Sequence, residues 1–221
     1  MLPPSEVSSP PSACFQRGLS LVQTSPLAWP PDLIQGLSTA QAQHLADLLP
    51  FLACGEESAV FAFEGSLLAA VPAAAQAVLQ GIASDERRHA DLLAHLRQLL
   101  PQPRLQISFA RLAFFFRRLQ ASQVDEHLAR VAALDLAVCR LLQVLLHPQA
   151  GLAAAPGLHR ALCELRQDEA RHVRQARSLA RQLGCSAQRQ AALDEAMRLR
   201  LLALLQPVAA SLQSLSQRPG A

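Results

Sequence analysis

The chain of 221 residues contains no Tyr and no Lys, and aromatic residues make up only 4% of it. The lack of Tyr excludes a protein that works by generating a tyrosyl radical. Because Lys is absent, all 20 basic residues are Arg, and they are spread along the chain rather than gathered in one block. A net charge of +3 without a basic cluster does not indicate a nucleic-acid-binding protein.

Cysteine is present but forms no recognisable pattern. The five residues are Cys14, Cys54, Cys139, Cys163 and Cys185. Their number is odd and no C-x-x-C pair occurs, so neither a disulfide framework nor a zinc ribbon is expected. We predict free, largely buried thiols in a reducing cytoplasm.

Membrane and secretion signals are also lacking. The N-terminal residues do not combine a basic region with an apolar core, so we expect no signal peptide. The uncharged segment 65–84 is long enough to cross a membrane, but Pro72, Gln80 and Gly81 interrupt it. We interpret this segment as part of a buried helical hairpin and expect a cytoplasmic protein without membrane contact.

What the sequence does contain is mostly Ala and Leu, within an apolar fraction of 51%. These residues favour helices, and no strand-like alternation is visible. A Pro- and Ser-rich stretch, 1–36, buries too little apolar surface to order itself and is predicted to be a tail. We therefore divide the chain into an N-terminal tail (1–36), one helical domain (37–206) and a C-terminal tail (207–221).

Helix signals divide the domain further. Ser38 is predicted to cap a short helix to about Leu49, which Pro50 then breaks or kinks. Ser122 and Pro156 mark the starts of two later helices. The predicted helices after the first, including these two, span 51–70, 72–100, 105–120, 122–146, 156–184 and 187–205. A hairpin, a crossover, a second hairpin and an extra C-terminal helix predict an all-α four-helix bundle.

The motif Asp-Glu-x-x-His occurs twice, ending at His89 and at His172. Residues three apart on a helix lie on the same face. Glu86 and His89 can therefore bind one metal ion together, and Glu169 and His172 can do the same.

Both Glu/His pairs interrupt an apolar stripe. On the second bundle helix the stripe consists of Ala75, Leu79, Ile82, Leu93, Leu96 and Leu100. On the fourth it consists of Leu158, Leu162, Leu165, Ala176, Leu179 and Leu183. The positions missing from each stripe are those of the Glu and the His. Such groups are costly in an apolar core unless they are paired or bind a metal, so two matched copies indicate a shared metal site.

Hairpin geometry predicts an acidic partner for each pair, because residues equally far from a turn lie at the same height. The turn between the third and fourth bundle helices centres near residue 152, seventeen residues before Glu169. The residue seventeen positions before that turn is Asp135, which also lies on the apolar stripe of its helix. The same rule places the partner of Glu86 at Glu56 or Glu57.

The order acid, Glu-x-x-His, acid, Glu-x-x-His resembles that of the ferritin-like di-iron carboxylate superfamily, over residues 50–184. In many members the first Glu is followed by Ala three residues later and by an aromatic residue seven later. Glu56, Ala59 and Phe63 fit this pattern. The resemblance therefore favours Glu56 as the first ligand, with Glu57 as the alternative.

The resemblance implies a ferritin-like bundle, with the extra C-terminal helix, that binds two iron ions, or manganese in their place. One ligand set is Glu56, Glu86 and His89, and the other is Asp135, Glu169 and His172. Glu86 and Glu169 would bridge the two ions. Asp85 and Asp168 would each accept a hydrogen bond from the ligand histidine of the opposite motif, which fixes its tautomer.

The activity implied by the resemblance is that of an O2-dependent di-iron oxidase or oxygenase acting on a small organic substrate. The spacing is most similar to that of di-iron arylamine N-oxygenases. Two positions depart from those enzymes, because Leu165 stands where they carry an extra His and Asp135 where they carry Glu. An electron-donor protein and a homodimer stay open as partners beside the substrate and O2.

Two other functions stay open at this point. One is iron handling, as a ferroxidase or a peroxide-reducing protein, and the other is a non-catalytic bundle with a relic metal site. Five histidines lack a matched partner and are predicted to lie on the surface: His44, His95, His127, His147 and His159.

Overall fold

The computed structural model describes residues 29–64, 71–105 and 108–217, and within these ranges it contains helices but no strand. The α-helices are α1 (Thr39–Glu64), α2 (Ala73–Leu99), α3 (Phe109–Arg117), α4 (Val124–Leu145), α5 (Pro156–Gln182), α6 (Ala187–Leu205) and α7 (Ala209–Ser216). Short 3-10 helices at Gly151–Ala154 and Gln206–Val208 precede α5 and α7. The predicted all-helical class is confirmed. Most of the predicted N-terminal tail, 1–28, lies outside the described residues.

Two helical hairpins form the centre of the fold. Helix α1 packs along α2, α4 packs along α5, and α2 contacts α5, which joins the two hairpins. Helix α3 lies in the connection between the hairpins and packs against α1. This arrangement brings α1, α2, α4 and α5, the helices that carry the predicted metal ligands, around one interior.

Of the break or kink predicted at Pro50, the break is wrong, because α1 continues through this residue from Thr39 to Glu64. Proline in a helix interior removes one backbone hydrogen bond and crowds the preceding turn. The residues around it, Leu48, Leu49 and Phe51, are all buried. Burial of residues on both sides of Pro50 offsets the lost hydrogen bond. The predicted end of this helix near residue 70 lies outside the described residues.

The start of α1 follows the sequence signal. The Ser38 hydroxyl accepts a hydrogen bond from the Gln41 backbone N–H at 3.2 Å, and the Gln41 side-chain oxygen accepts one from the Ser38 N–H at 2.8 Å. This reciprocal pair is a capping box. Pro156 likewise occupies the first position of α5, as predicted.

The cap predicted at Ser122 is wrong, since Gln123 precedes the first residue of α4 and makes no side-chain capping bond. Arg130 of α4 instead reaches back and donates hydrogen bonds to the carbonyls of Arg118 and Gln120, at 3.3 and 3.0 Å. These bonds hold the chain that leads into the helix. A side chain from within α4, rather than one at the predicted capping position, therefore contacts the backbone that precedes the helix.

The apolar stripes form the core of the bundle. Every stripe residue predicted on α2 is buried, and so are Leu158, Leu162, Leu165 and Ala176 on α5. Leu179 is only partly buried, and Leu183 is 40% exposed. Helix α5 has already ended at that point, since Gly184 turns the chain away with a φ of 112°, a left-handed conformation that suits glycine.

The described residues after Leu205, 206–217, do not form the tail expected from the sequence. Helix α6 packs on α4, and α7 packs on α1 and on the 3-10 helix that precedes α5. Leu215 of α7 is fully buried, and the Ser211 hydroxyl donates a hydrogen bond to buried Asp47 at 3.3 Å. The sequence did not predict this helix, because Pro207 interrupts the helical pattern and α7, which follows it, is only eight residues long.

Part of the predicted N-terminal tail also packs on the bundle. Leu33 is buried against the start of α5 near Gly157. Gly36 adopts a left-handed φ of 102°, and a Cβ atom there would lie 2.0 Å from the Ala154 carbonyl oxygen. Glycine is therefore required where this segment crosses the turn between α4 and α5.

No helix in the described parts of the chain is both long and apolar enough to cross a membrane. Cys139, Cys163 and Cys185 form no disulfide bond. Cys14 lies outside the described residues.

Candidate metal centre

Six side chains predicted as metal ligands lie buried in the bundle. They are Glu56 on α1, Glu86 and His89 on α2, Asp135 on α4, and Glu169 and His172 on α5. The most exposed of them, Glu56, retains 6% of its accessible surface. Ionisable groups this deep in an apolar core are costly unless something compensates their charge.

Four of these side chains, those of Glu56, Glu86, His89 and Glu169, form a cluster that could hold a metal ion. Each offers a ligand atom, and these atoms all lie within 4.8 Å of one another. His172 adjoins the cluster, with its Nδ1 3.0 Å from Glu86 Oε1. Three of the four helices thus contribute to the cluster itself, and its shape fits a cation surrounded by oxygen and nitrogen atoms.

Asp135 completes the interior from α4. Burial, together with the negative charges of Glu169 and Glu86, raises its pKa well above its ordinary value. Its Oδ2 atom is buried without a hydrogen-bond partner in the described structure. At least one oxygen of this buried carboxyl group therefore lacks a hydrogen bond from the described residues.

The structure distinguishes the two acids that the sequence left open on α1. Glu56 is buried, and its Oε2 lies 3.3 Å from His89 Nδ1. Glu57 is only partly buried and is not part of the cluster.

One end of the cluster is closed by the two aspartates that precede the motif glutamates. His89 Nε2 donates a hydrogen bond to Asp168 at 3.3 Å, and His172 Nε2 donates one to Asp85 at 3.2 Å. Each histidine therefore contacts the aspartate of the opposite motif, which is the pairing that the resemblance implies. Because both Nε2 atoms point outward, both Nδ1 atoms face the carboxylates.

Two arginines tie the aspartates together into a polar ring. Arg88 contacts Asp168 at 2.5 Å and Asp85 at 3.2 Å. Arg171 contacts each of the two aspartates at 2.6 Å. We call Arg88, Asp168, Arg171 and Asp85 the Asp/Arg ring. Neither arginine was predicted as part of the site, although each of them immediately precedes a motif histidine.

The Asp/Arg ring keeps both aspartates ionised. Burial opposes the charge of Asp168, but hydrogen bonds from Arg88 and Arg171 outweigh it and lower the pKa to about 2. For Asp85, hydrogen bonds from His172 and Arg171 likewise outweigh burial and lower the pKa. An ionised carboxylate accepts and cannot donate, so each Nε2 carries a proton.

Inside the cluster the pKa shifts run in the opposite direction. Burial raises the pKa of Glu56 to about 8 and also raises that of Glu169. Burial disfavours a charged imidazole, yet contacts with Glu169 and Glu56 outweigh burial and raise the pKa of His89. The pKa of His172 is raised too, against burial, by its contact with Glu86. The folded interior thus binds positive charge, either as protons or as a metal ion.

Unpaired atoms support a cation at this place. Glu86 Oε1, Glu169 Oε1 and His172 Nδ1 are buried without a hydrogen bond, although Nδ1 lies 3.0 Å from that Glu86 oxygen. The distance is short, but the bond does not meet hydrogen-bond geometry. When both histidines are neutral, their Nδ1 lone pairs face carboxylate oxygens, an arrangement that repels unless a cation lies between them. The residues present therefore fit a bound metal.

An apolar cavity borders the other side of the cluster. Its walls include Glu56, Glu86, Asp135 and Glu169, and otherwise mainly apolar side chains such as Phe116 and Leu134. Leu201, Leu204 and Leu205 of α6 also line it, so α6 covers the site on this side. The cavity brings a water-poor space directly to the carboxylates.

The surface position predicted for His127 is wrong. Its side chain is only 5% exposed, and it lines the apolar cavity. One signal existed in the sequence, because His127 immediately precedes Leu128 on the apolar stripe of α4. Of the other histidines, His147 is exposed, whereas His44, His95 and His159 are half-buried.

Comparisons with protein-family models, with curated proteins and with solved structures found no match to this chain. The class of protein therefore follows from the fold and the site. The chain is an all-helical bundle whose interior holds a buried carboxylate and histidine cluster that could bind metal.

Proposed function

We propose that the chain is a ferritin-like, non-haem di-iron oxidase or oxygenase that uses O2 to oxidise a small organic substrate. The observation that carries this proposal is the pair of inward-facing histidines, whose Nδ1 atoms lie 3.0–3.3 Å from carboxylates of neighbouring helices. A single buried Glu/His pair is satisfied as an ion pair. Two related pairs that share carboxylates call for a larger positive charge than two protons supply.

Charge balance supports two divalent ions. Glu56, Glu86, Asp135 and Glu169 together carry four negative charges when ionised. Two divalent cations neutralise them while His89 and His172 stay neutral, as metal binding requires. A single ion would leave two buried negative charges without compensation, which the apolar surroundings disfavour.

The donor set favours iron, with manganese as the alternative metal. Four carboxylates and two imidazoles offer mainly hard oxygen ligands, whereas structural zinc sites are tetrahedral and rich in thiolate or imidazole. Cys139 lies near the cluster, but burial and the charge of Glu169 raise its pKa to about 12, so it stays a neutral thiol. A thiolate ligand is therefore not part of the proposed site.

Each part of the site would have its own role in the reaction. The carboxylates and histidines would hold the ions, and Asp85 and Asp168 would orient the imidazole rings. The apolar walls would exclude water from the reacting groups. Two ferrous ions bound here would supply the electrons for reduction of O2, which the side chains alone cannot do.

The cavity favours an oxygenase over the iron-handling alternative. A ferroxidase needs a route for iron, for which charged or polar walls are suited. The space next to this cluster is instead lined mainly by apolar groups, among them Phe51, Val131 and Leu134. Such walls are typical of a site for an organic molecule.

The proposal is tested by loading the chain with ferrous iron without oxygen and then exposing it to air and a reductant, with and without aniline or phenol. O2 uptake and organic products are measured together. We expect an oxidised organic product that is absent from a Glu86→Ala/Glu169→Ala double variant. Oxidation of the iron without any organic product would favour the ferroxidase alternative. If O2 uptake in the double variant were as fast as in the parent, both functions would be contradicted.

A further inference from the structure

His127 is a buried polar group for which the metal centre has no use. It lies near the start of α4, eight residues before Asp135, which corresponds to about 12 Å along the helix axis. The imidazole is 5% exposed and lines the same apolar cavity as the carboxylate cluster. His127 and the carboxylate cluster therefore line different parts of the same cavity.

The hydrogen bonds of His127 fix its tautomer. Its Nε2 lies 2.9 Å from the Ala62 carbonyl oxygen, and a carbonyl can only accept, so Nε2 carries the proton. Burial lowers the pKa of His127, which keeps the ring neutral. Nδ1 is then a hydrogen-bond acceptor, and it is buried without a partner among the described residues. An acceptor left unsatisfied in this way costs free energy.

The rest of the cavity offers few polar groups away from the carboxylates. Ser58 lines it, but its hydroxyl already donates to the Cys54 carbonyl at 2.6 Å. Arg117 and Gln120 are exposed, and they mark the side on which the cavity meets solvent. Between these polar positions the walls are apolar.

The dimensions limit what can enter. The cavity volume is about 90 Å³, of the same order as the ~150 Å³ apolar cavity that binds benzene in another protein. A single ring is therefore the size that this space suits.

We propose that the cavity binds a small, neutral, mainly apolar molecule with one hydrogen-bond donor, and that His127 Nδ1 accepts that hydrogen bond. Phenols and arylamines belong to this class. The proposal rests on the proposed function where it treats this molecule as the substrate, whereas the binding itself requires no metal. A molecule held at His127 extends its apolar part along the cavity towards the carboxylates. His127 is thus a positioning and specificity residue, which selects donor-bearing rings.

Ligand binding to the full-length, metal-free chain tests this inference without reference to catalysis. The probes are phenol and toluene, which have similar size but differ in the hydroxyl donor, and their affinities are measured by ligand-observed NMR titration. We expect phenol to bind about tenfold more tightly than toluene, because one buried hydrogen bond of about 1.4 kcal/mol separates them.

The variant His127→Phe removes both ring nitrogens and keeps a ring of similar shape in the cavity wall. Toluene does not use the acceptor, so its affinity reports whether the cavity itself is intact. The matched control is His159→Phe, since His159 Nε2 also contacts a backbone carbonyl, that of Leu146 at 3.0 Å, but does not line the cavity. We expect His127→Phe to lower phenol affinity about tenfold and leave toluene affinity unchanged. His159→Phe should change neither.

Three results would overturn the inference. Equal phenol affinity in the parent and in His127→Phe would show that Nδ1 is not the recognition point. Loss of phenol and toluene binding together would mean that His127 only supports the cavity wall. No binding of either probe to the parent would mean that the cavity is not a ligand site. None of these results depends on iron, so failure of the proposed metal centre is detected separately by its metal content.

Discussion

The two sides of the buried cluster differ in every physical property that matters for chemistry. On one side the Asp/Arg ring places two cations and two anions within 2.5–3.2 Å of one another. On the other side an apolar cavity reaches the same carboxylates with one buried acceptor, His127 Nδ1, left unsatisfied. The contrast suggests that the polar side holds the histidines rigidly, whereas the apolar side admits a molecule.

The largest effect on the polar side is expected from its aspartates. Asp85→Ala and Asp168→Ala remove the acceptors of the two Nε2–H groups. The imidazole of His172 or His89 then loses the hydrogen bond that fixes its orientation and raises its basicity. We expect metal affinity to fall by about 10- to 100-fold in each variant. Competition with a coloured chelator measures this change. Asp91→Ala, an exposed position on the same helix as Asp85, is the control and should bind metal like the parent. Parent-like affinity in both ring variants would contradict the role given to that side.

A matching change on the apolar side should leave metal binding intact. Ala59 lines the cavity, and Ala59→Leu fills part of its volume. We expect phenol affinity to fall by about tenfold, because the lost space excludes the ring, while metal content stays at the parent level. NMR titration and elemental analysis measure the two quantities. Ala40→Leu, at an exposed position of the same helix, serves as the control. Loss of metal in Ala59→Leu would show that the two sides are not independent.

The pH dependence of stability reports on the buried carboxylates and histidines, whose pKa values are raised, rather than on the Asp/Arg ring, whose aspartates stay ionised. Burial raises the pKa of Glu56 from an ordinary 4.5 to about 8. Between these values the folded, metal-free chain holds a proton that the unfolded chain has released, so stability must fall as pH rises. The raised pKa of His89 acts in the same direction at higher pH, because its stabilising proton is lost as pH passes the folded pKa.

Urea unfolding of the metal-free chain at about pH 5 and about pH 8 checks this sign. We expect the lower free energy of unfolding at the higher pH. Glu56→Gln cannot release the proton and should show a smaller difference. Stability that rises between these two pH values would contradict the protonation state given to the interior.

The smallest effect is expected at the rim of the ring. The side chain of Arg171 is 40% exposed, so water screens much of its interaction with the aspartates. Arg171→Gln should lower the free energy of unfolding by less than about 1 kcal/mol. Its effect on metal affinity should also be smaller than that of Asp85→Ala. Chemical denaturation measures the first quantity, and a loss several times larger would mean that the ring contributes more to stability than its exposure allows.

The sequence predicted those features that depend on helical periodicity. Glu86 and Glu169 occupy positions of apolar stripes that face the core. Asp135 was predicted because it lies as far before the turn between α4 and α5 as Glu169 lies after it. Periodicity does not reveal features that depend on tertiary contacts. Helix α1 continues through Pro50 because both of its halves are buried, and α7 forms because Leu215 finds a place against the rest of the bundle.

His127 illustrates a second limit of sequence reasoning. Its burial depends on the Ala62 carbonyl, which comes from a helix 65 residues earlier in the chain. A lone histidine has no repeated partner in the sequence, and for that reason His127 was predicted to lie on the surface. The Asp/Arg ring was overlooked for a related reason, because its arginines meet the aspartates of the opposite motif only after the hairpins have packed together.

The metal content of the chain tests the central claim most directly. The protein is loaded with ferrous iron without oxygen, desalted and analysed for iron and manganese per chain. The controls are Glu86→Ala/Glu169→Ala, which removes two ligands, and Glu57→Ala, which removes the partly buried neighbour of Glu56. We predict about two ions per chain in the parent and in Glu57→Ala, as charge balance requires, and far fewer in the double variant. Metal in the parent no higher than in the double variant would mean that the buried glutamates and histidines form ion pairs only, and that the proposed function is wrong.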